Sequence, residues 1–424
     1  MSNNKFSSNY YQLNNSVEEF KSFGEANAGS SYKNFISEET QIIDSLPLDK
    51  ATGAVSYPIY QTSTFVQESL EVNSGYKYSR SSNPTRNALE ELLNKLESGY
   101  RAFAFASGLA AIDAVAKLFK SGDEIIAVND IYGGTYRLFD KVYAKFGIKV
   151  HFVDTSDLKN IEDNINENTK AIWLESPTNP TLKISDISAI SEISKRINAL
   201  LIVDNTFATP VSQKPLLLGA DIIIHSVTKY LAGHCDVTAG AVIVNSKELG
   251  EEIAYIQNAT GGILAPFESW LTIRGIETLH LRFERHNLNA QKIAEFLEAN
   301  NKFVDKVYYP GLESHPNHEI AKKQQKYFGG MVSFTIAKEY SNYINEFLQN
   351  TNLFYLAESL GGVKSLICYP KEMTHKSTPK ELREAVGVTD NLIRLSVGLE
   401  HYEDLIKDLE NAFTILNTVV VKRE

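Results

Sequence analysis

Seven short, almost uninterrupted apolar runs constrain the fold of this 424-residue chain more than any other feature. They lie between residues 101 and 245 and read RAFAFAS, DEIIAVND, KVHFVD, KAIWLES, ALLIVDN, ADIIIHS and GAVIVN. Segments of crossover length with helical periodicity separate them. Because strands that are apolar on both faces must be covered on both faces, the alternation predicts an α/β fold with a mostly parallel sheet between helices.

The chain is longer than one hydrophobic core usually supports, so more than one domain is expected. Asn83 and Pro84 are typical of a helix N-cap and first helical position, and the leucines that follow have helical spacing. The Asn- and Ser-rich start has no such periodicity. We therefore predict a flexible extension at 1–35, an N-terminal arm at 36–81, a large domain at 82–281 and a smaller C-terminal α/β domain at 282–424.

Charge and composition argue against several classes of partner. Asp and Glu total 52 against 42 Lys and Arg, a formal charge of -10 without a basic stripe, which disfavours nucleic acid. No apolar run approaches the roughly 18 residues of a membrane span, and the first residues lack a signal-peptide core. Cys235 and Cys368 have no metal-ligand spacing. We expect a cytoplasmic protein that binds neither membranes nor metals.

Polar residues that follow the predicted strands indicate a ligand site, because open α/β sheets bind ligands beyond the carboxyl ends of their strands. Lys229 follows a buried strand, where desolvation would favour the free amine, a nucleophile toward aldehydes. The alternative is a solvated lysine at the sheet edge. Asp204 ends LLIVD, where its carboxylate would either keep a facing pyridine nitrogen protonated or cap the next helix. The hydroxyls of Ser226 and Thr228 are suited to a phosphate.

Three further positions complete this pattern. Gly108 opens a predicted helix directly after a strand, where free backbone N–H groups bind phosphate, although small residues there are also common packing devices. Tyr132 would stack on a planar ligand or belong to the core. Arg394 interrupts an apolar strand and requires an anion, either a substrate carboxylate or an internal carboxylate. Together these residues form the set that a pyridoxal 5'-phosphate (PLP) enzyme needs.

The chain resembles the Cys/Met-metabolism family of PLP-dependent enzymes from about residue 52 to residue 409. The resemblance implies the PLP-dependent transferase fold type I, similar to aspartate aminotransferase. The family includes cystathionine γ-lyase, γ-synthase and β-lyase and methionine γ-lyase. The motifs that carry it are TGAVSYPIYQTSTF, YKYSRSSNPTR, FASGLAA, IYGGT, ESPTNP, VDNTF, HSVTKYLAGHCD, YPGLESHP, LAESLGGVKSL and LIRLSVGLE.

Carried over motif by motif, the resemblance implies a role for each matching residue in cofactor binding and proton transfer. Lys229 would bind the cofactor covalently, and Asp204 would pair with the ring nitrogen. Tyr132 would stack on the ring and share proton transfers with Lys229, and Asn179 would contact the ring hydroxyl. The phosphate would be bound by Gly108, Leu109, Ser226 and Thr228.

Two residues of the YSR motif imply an oligomer. Tyr78 and Arg80 resemble the pair that this family places in the phosphate site of the neighbouring subunit. Each active site would then need two chains. The resemblance implies a homotetramer made of two active dimers.

The residues expected to bind an amino-acid substrate favour cystathionine. Arg394 with Ser359 would bind its carboxylate, and Glu358 would lie near its distal ammonium. Arg137 is also typical of the family members that act on cystathionine. Gly134 occupies the place of a cysteine in methionine γ-lyases, which argues against that activity.

Two departures from the pattern leave alternatives open. Lys77 occupies a position where cystathionine enzymes tend to have an acidic residue. Tyr136 favours a sulfhydrylase. The predicted activity is elimination that cleaves a C–S bond of cystathionine, mainly at γ, with possible β-cleavage. The alternatives are γ-synthase acting on an O-acylhomoserine, methionine γ-lyase, O-acetylhomoserine sulfhydrylase and a non-catalytic scaffold of the same fold. A dinucleotide-dependent dehydrogenase is disfavoured because GxGxxG does not follow the first strand.

Overall fold

A computed structural model of the chain describes residues 37–44, 46–49, 51–376 and 379–423. The chain divides into two units, residues 1–45 and 46–424. In the first unit the described residues form one helix, Glu38–Asp44. The extension predicted at 1–35 lies outside the described residues, and the predicted domain boundaries stay predictions.

A seven-stranded sheet forms the centre of the second unit, with strand order β1-β7-β6-β5-β4-β2-β3. All seven predicted runs form strands in it. Only β7 runs antiparallel to its neighbours, β1 and β6, so the prediction of a mostly parallel sheet is confirmed. The strands are β1 Arg101–Phe105, β2 Glu124–Val128, β3 Lys149–Val153, β4 Thr169–Glu175, β5 Leu200–Asp204, β6 Ile222–His225 and β7 Gly240–Val244.

Both faces of this sheet are buried, as the apolar runs predict. Alternate residues of one strand belong to different cores: Trp173 packs in the core that includes helix 108–116, whereas Ile172 and Leu174 pack in the core that includes helix 187–196. Since side chains alternate along a strand, Asp204 lies on the Trp173 face and His225 on the opposite face.

A second, five-stranded sheet follows along the chain, with order β10-β11-β12-β9-β8. Its core includes apolar residues of the helices at 279–299 and 402–423. The boundary predicted between 281 and 282 falls inside the first of these helices. The strands are β8 Val304–Tyr308, β9 Met331–Ile336, β10 Tyr355–Leu356, β11 Leu366–Cys368 and β12 Leu392–Ser396.

Helices cover the two sheets, and none in the described ranges is long and apolar enough to cross a membrane. Short π or 3-10 turns occur at Leu138–Val142, Tyr143–Phe146, Pro215–Leu218 and Lys338–Tyr343. The α-helices are α1 Glu38–Asp44, α2 Pro84–Glu97, α3 Gly108–Ala116, α4 Gly133–Arg137, α5 Leu158–Glu162, α6 Ile187–Arg196, α7 Thr209–Ser212, α8 Lys247–Thr260, α9 Pro266–Ile276, α10 Leu279–Ala299, α11 His318–Gln324, α12 Ile344–Gln349, α13 Lys380–Ala385 and α14 Tyr402–Arg423.

Helix α2 begins where its sequence predicts, and it anchors the strand that leads to Lys229. The side chain of Asn83 accepts hydrogen bonds from the first-turn N–H groups, and Pro84 is the first helical residue. At the other end of the helix, Glu97 Oε1 lies 2.5 Å from His225 Nε2, and both side chains are 1% exposed. Asn205 Nδ2 also donates to Glu97 Oε1, at 2.9 Å. This buried carboxylate therefore connects α2 to β6 and to the residue after β5.

Replacing Glu97 by alanine should lower the free energy of unfolding by about 3 kcal/mol, because His225 and Asn205 lose a buried acceptor. Equilibrium unfolding in urea would measure it. Glu91 on the same helix forms an exposed pair with Lys95, so Glu91→Ala should cost less than about 1 kcal/mol. Equal losses in the two variants would contradict the assigned role of Glu97.

Candidate active site

The parallel strands bring the predicted site residues to one edge of the seven-stranded sheet. Glu175 ends β4 and pairs in register with Asp204, the last residue of β5. Asp204 pairs in turn with Ile224 of β6. The chain then continues from His225 into the segment that carries Lys229. Neighbouring strands thus deliver an acid and an amine to the same edge.

Lys229 lies in a largely desolvated position. Its Nζ donates a hydrogen bond of 2.9 Å to Ser359 Oγ. Burial, followed by the charge of the nearby Arg394 guanidinium, lowers the pKa of Lys229 from 10.5 to about 8, although Cys235 and Glu358 act in the opposite direction. In about a tenth of the molecules at pH 7, Lys229 is therefore the nucleophilic free amine.

Arg394 is a buried cation whose position supports anion binding. It lies within β12 and is 2% exposed. Its Nη1 donates to Asn179 Oδ1 at 2.8 Å, and its Nη2 donates to the Ser359 carbonyl at 3.0 Å. Its Nε is buried and has no hydrogen-bond partner among the described residues. Since none of the described Asp and Glu residues forms an ion pair with it, the internal salt bridge left open by the sequence is not present there.

Ser359, whose backbone is strained, contacts both Lys229 and Arg394. Its hydroxyl accepts from Lys229 and its carbonyl from Arg394. Its φ of 87° lies in the left-handed region, which a non-glycine residue adopts at a cost. Backbone strain of this kind is typical of functional sites that the surrounding structure holds in place.

Asp204 is a buried acid at the sheet edge, 9% exposed. Its Oδ1 accepts the Thr206 N–H at 3.0 Å. Burial raises its pKa, and the hydrogen bonds of Thr206 and the charge of His225 oppose that rise. A cationic ring nitrogen beside it would favour the carboxylate, because an opposite charge stabilises the ionised form.

Tyr132 lies at the start of α4, 37% exposed. Its backbone N–H donates to Glu175 Oε2 at 2.9 Å. The Tyr132 ring lies so close to Gly134 that a Cβ on that glycine would stand 2.4 Å from ring atom Cε1. The partly exposed ring is therefore available to a planar ligand, and its placement requires glycine at 134.

A small-residue cradle forms where α3 and the β6 exit meet. A Cβ on Gly108 would stand 2.9 Å from Ser226 Cβ, so the helix start approaches Ser226 closely. The first turn of α3, including Leu109, has N–H groups without intrahelical acceptors. The Thr228 hydroxyl, in contrast, donates to the Ala239 carbonyl at 3.1 Å and accepts from its N–H at 3.0 Å. Its predicted phosphate contact stays a prediction and requires this hydroxyl to rotate.

The residues predicted to select the substrate lie at the exposed rim. Glu358 is exposed, and its charge acts on Lys229. Arg137 is exposed at the end of α4, and a Cβ on Gly133 would lie 3.7 Å from its Nη1.

Tyr78 and Arg80 lie apart from these residues in the single chain. Arg80 Nη1 donates to the Asn258 carbonyl of α8 at 2.7 Å, and its guanidinium lies over the Tyr78 ring at 5.8 Å. Among the described residues, neither side chain forms a hydrogen bond with Lys229, Asp204 or Ser226. Their assignment to a neighbouring subunit's site stays a prediction.

The structure adds residues to which the sequence reasoning gave no role. Glu175 holds the Tyr132 backbone, and Arg282 donates to the carbonyls of Tyr230 and Gly275 at 2.8 and 2.7 Å. Arg282 thereby fixes the turn that directly follows Lys229. The position of Glu175 at a strand end was a usable signal for its role, whereas Arg282 is distant along the chain.

The comparison with protein families identifies the site chemistry. The family described as Cys/Met metabolism PLP-dependent enzyme matches residues 39–414. The cystathionine beta-lyase of Lactococcus lactis subsp. cremoris (strain MG1363) is 59% identical over 364 residues, 86% of this chain and 95% of that protein. The cystathionine gamma-lyase of Bacillus subtilis (strain 168) is 55% identical, with the same coverage of both chains.

A solved structure has the same fold. The cystathionine gamma-lyase from Lactobacillus plantarum, complexed with L-serine, is 48% identical, with a TM-score of 0.88, and the match covers 90% of this chain and 100% of that chain. The predicted fold type I α/β architecture is confirmed by this likeness.

The side chains at the sheet edge fit PLP. The Gly108 cradle offers helix N–H groups to a phosphate, and Asp204 is available to a protonated ring nitrogen. Lys229 is desolvated enough to react with an aldehyde. Arg394 has an Nε without a partner and no carboxylate partner among the described residues, so this cation is available to an anion.

Covalent binding of PLP by the cofactor-free protein should accelerate about tenfold from pH 6 to pH 7 and level off above about pH 8, because only the free amine of Lys229 reacts. Stopped-flow recording of the visible absorption band would measure the rate. Arg394→Leu should shift this profile to higher pH, and Lys229→Ala should abolish the band. A midpoint near 10.5, the ordinary lysine value, would contradict the assigned environment.

Proposed function

Because the chain belongs to the Cys/Met metabolism family of PLP-dependent enzymes, we propose that it cleaves a C–S bond of L-cystathionine by elimination, mainly at the γ carbon. The activities named for its relatives support this substrate. The observation that carries the proposal is the desolvated Lys229 amine beside a buried arginine without a carboxylate partner among the described residues. Free thiols at Cys235 and Cys368 support the cytoplasmic location that the sequence predicts.

Arg394 orients the substrate by binding its α-carboxylate. A guanidinium presents a rigid fork that matches a carboxylate, and the bond to Asn179 Oδ1 fixes that fork. The Ser359 carbonyl holds the second amino group of the fork. Substrate binding therefore places the α carbon beside Lys229, which contacts the same serine.

Lys229 moves the protons that elimination requires. When bound, PLP supplies an aldehyde for the substrate amine and a ring that accepts electrons from the α carbon. The lowered pKa of Lys229 matches that of a base working near neutral pH. Its Nζ takes the α proton, and for departure of a γ-sulfur it also serves the β carbon. The partly exposed Tyr132 shares these transfers.

Asp204 favours the protonated form of the ring nitrogen. Its carboxylate is buried and held by Thr206, so it keeps its orientation without help from solvent. A preorganised acid of this kind stabilises positive charge at the ring during proton abstraction.

Glu358 supports cystathionine because this substrate has a second ammonium group. The side chain is exposed at the rim and close enough for its charge to raise the pKa of Lys229. A distal cation would find a carboxylate there without burying either charge. Methionine lacks this group, and a cysteine in place of Gly134 would displace the Tyr132 ring.

Two other outcomes have specific support. The β-lyase activity named for the Lactococcus relative favours β-cleavage of the same substrate. The exposed Lys77, a cation next to Tyr78, favours an O-acylhomoserine with a carboxylate on its acyl group, which a γ-synthase would use.

The N-terminal arm supports a homotetramer built from active dimers. Val55, Val66 and Leu70 are 95%, 94% and 96% exposed in the single chain. An arm that exposes large apolar side chains is typical of a segment buried against another chain. Tyr78 and Arg80 follow on the same arm and would reach the neighbour's phosphate.

Purified protein supplied with PLP should convert L-cystathionine to 2-oxobutanoate, cysteine and ammonia, since the γ-sulfur leaves after the second proton transfer. Product identification by mass spectrometry would test this. Pyruvate and homocysteine would indicate β-cleavage instead. Faster formation of cystathionine from an O-acylhomoserine and cysteine would reject the lyase proposal, and Lys229→Ala is the inactive control.

Glu358→Val should reduce kcat/KM for cystathionine by about tenfold, because the distal ammonium loses an opposite charge. Turnover of an S-alkylhomocysteine without that ammonium should change less than about twofold. Glu372 is another exposed acid and forms a pair with Lys376, so Glu372→Val serves as the matched control. Equal losses with both substrates would remove the role of Glu358 in specificity.

Mixing two inactive variants tests whether each site needs two chains. Arg80→Ala and Lys229→Ala should each abolish most activity, but a mixed dimer has one site with both residues intact. Random exchange of subunits should then restore about one quarter of full activity. No recovery, despite subunit exchange verified by native mass spectrometry, would contradict the shared site.

A further inference from the structure

We propose that Glu175 is a positioning residue whose single carboxyl group fixes the backbone of Tyr132 and Asn179 beside Asp204, and thereby sets the orientation of the cofactor ring. The inference depends on the family's cofactor and not on the substrate proposed above. It concerns a side chain that has no direct part in proton transfer.

Glu175 contacts the backbone that carries two predicted ring contacts. Its Oε2 accepts the Tyr132 N–H at 2.9 Å, and the Asn179 backbone lies close enough to the carboxyl group to lower its pKa. Tyr132 follows β2, whereas Asn179 lies beyond β4, so no local turn links the two. One side chain, 5% exposed, therefore sets the distance between the stacking residue and the residue at the ring hydroxyl.

Asp204 is the direct neighbour of Glu175 across the sheet. The two are paired in register at the ends of β4 and β5, and equivalent positions on neighbouring strands point to the same face. Any movement of the Glu175 side chain therefore changes the surroundings of the acid that faces the ring nitrogen.

Charge crowding indicates that Glu175 acts as a neutral group. Asp130, Glu175 and Asp204 are all buried, and burial followed by the charge of Asp204 holds the pKa of Glu175 well above its usual range. Asp130 accepts from the Thr178 hydroxyl at 2.7 Å and interacts with Lys183. Two adjacent carboxylates disfavour double ionisation, so a neutral Glu175 leaves the negative charge on Asp204.

The same carboxyl group connects the ring site to the substrate fork. The backbone of Asn179 interacts with Glu175, and its side-chain Oδ1 accepts a hydrogen bond from Arg394. Tyr132, whose backbone N–H donates to Glu175, places its ring against Gly134. Glu175 therefore fixes the relative positions of Tyr132, Asp204 and, through Asn179, Arg394.

The test compares Glu175→Gln with Glu175→Ala in the full-length protein. Glutamine keeps a neutral acceptor for Tyr132, so PLP affinity, measured by fluorescence titration of the apoprotein, should stay within about threefold. Alanine removes the acceptor and should weaken PLP binding by about tenfold or more. Alanine should also reduce the circular dichroism band of the bound cofactor, which reports ring orientation.

The pH dependence of the cofactor spectrum separates geometry from charge. If Glu175 is neutral, Glu175→Gln should leave the pH titration of the visible band unchanged. The other charged or titratable groups near these acids, Asp204, Asp130, Lys183 and His225, are the same in both proteins. A shift of about one pH unit would show that Glu175 is ionised and would overturn the assigned neutral role.

Asp221→Ala is the matched control. Asp221 accepts the Leu201 N–H at 2.8 Å at the amino end of β5, so its loss removes a similar bond at the opposite edge of the sheet. This variant should keep the affinity and the dichroism band. Glu175→Asp, which shortens the side chain by one methylene group, replaces Glu175→Ala if the alanine variant does not fold. Its PLP affinity and dichroism band should lie between those of Glu175→Gln and Glu175→Ala.

Three results would overturn the proposal: a normal band in Glu175→Ala, equal losses in Glu175→Gln and Glu175→Ala, or the same loss in Asp221→Ala. Where Glu175→Asp stands in, normal affinity and a normal band in that variant would overturn it equally. None of these readouts uses cystathionine. Failure of the unmodified protein to cleave cystathionine would therefore reject the proposed function and leave this inference standing.

Discussion

The register of the buried parallel strands is the constraint on which the rest of the structure depends. Backbone N–H and C=O groups inside the sheet must be paired, and a slip of one residue would turn every side chain to the opposite face. With both faces buried in apolar cores, such a slip would move Asp204 to the face occupied by His225. The apolar residues of β4, β5 and β6 thus help to place the acids and the lysine by fixing which face each strand position points to.

Once the register is fixed, the site separates its buried charges by sign. Asp204 ends β5 beside Glu175, for which we proposed a neutral carboxyl group, whereas Arg394 enters from β12 and contacts Asn179 and Ser359, both neutral. No ion pair joins Lys229 or Arg394 to Asp204 or Glu175 in the described chain. Buried charges without partners are costly, so the cost is offset when a ligand brings a cation to Asp204 and an anion to Arg394. A pyridinium ring and an amino-acid carboxylate have this arrangement.

The sequence predicted most of this arrangement because most of it is local. Apolar runs identified all seven strands of the large sheet, and the carboxyl-end rule identified Asp204 and Lys229 without knowledge of the register. The sequence left open whether Arg394 binds an internal carboxylate, since this depends on residues more than 200 positions away. The Glu97–His225 contact and the bond from Thr228 to Ala239 were not predictable, because neither has a periodic or motif signal. The first joins residues 128 positions apart, and the second depends on the conformation of the chain between Thr228 and Ala239, which are 11 positions apart.

Burial separates the residues predicted for the chemistry at the sheet edge from those predicted to select the substrate. Asp204, Glu175, Asn179 and Arg394 are each less than a tenth exposed, and truncation of any of these side chains would leave a buried polar group unsatisfied. The groups that would meet the distal part of the substrate, Glu358, Arg137 and Lys77, are all exposed, and surface substitutions usually cost little stability. Proton abstraction is therefore tied to the folded core, while the choice between β-cleavage, γ-cleavage and γ-replacement is free to vary at the rim. Under the proposed function, the buried sheet edge supplies the proton abstraction that the three reactions share, and the exposed rim selects among them.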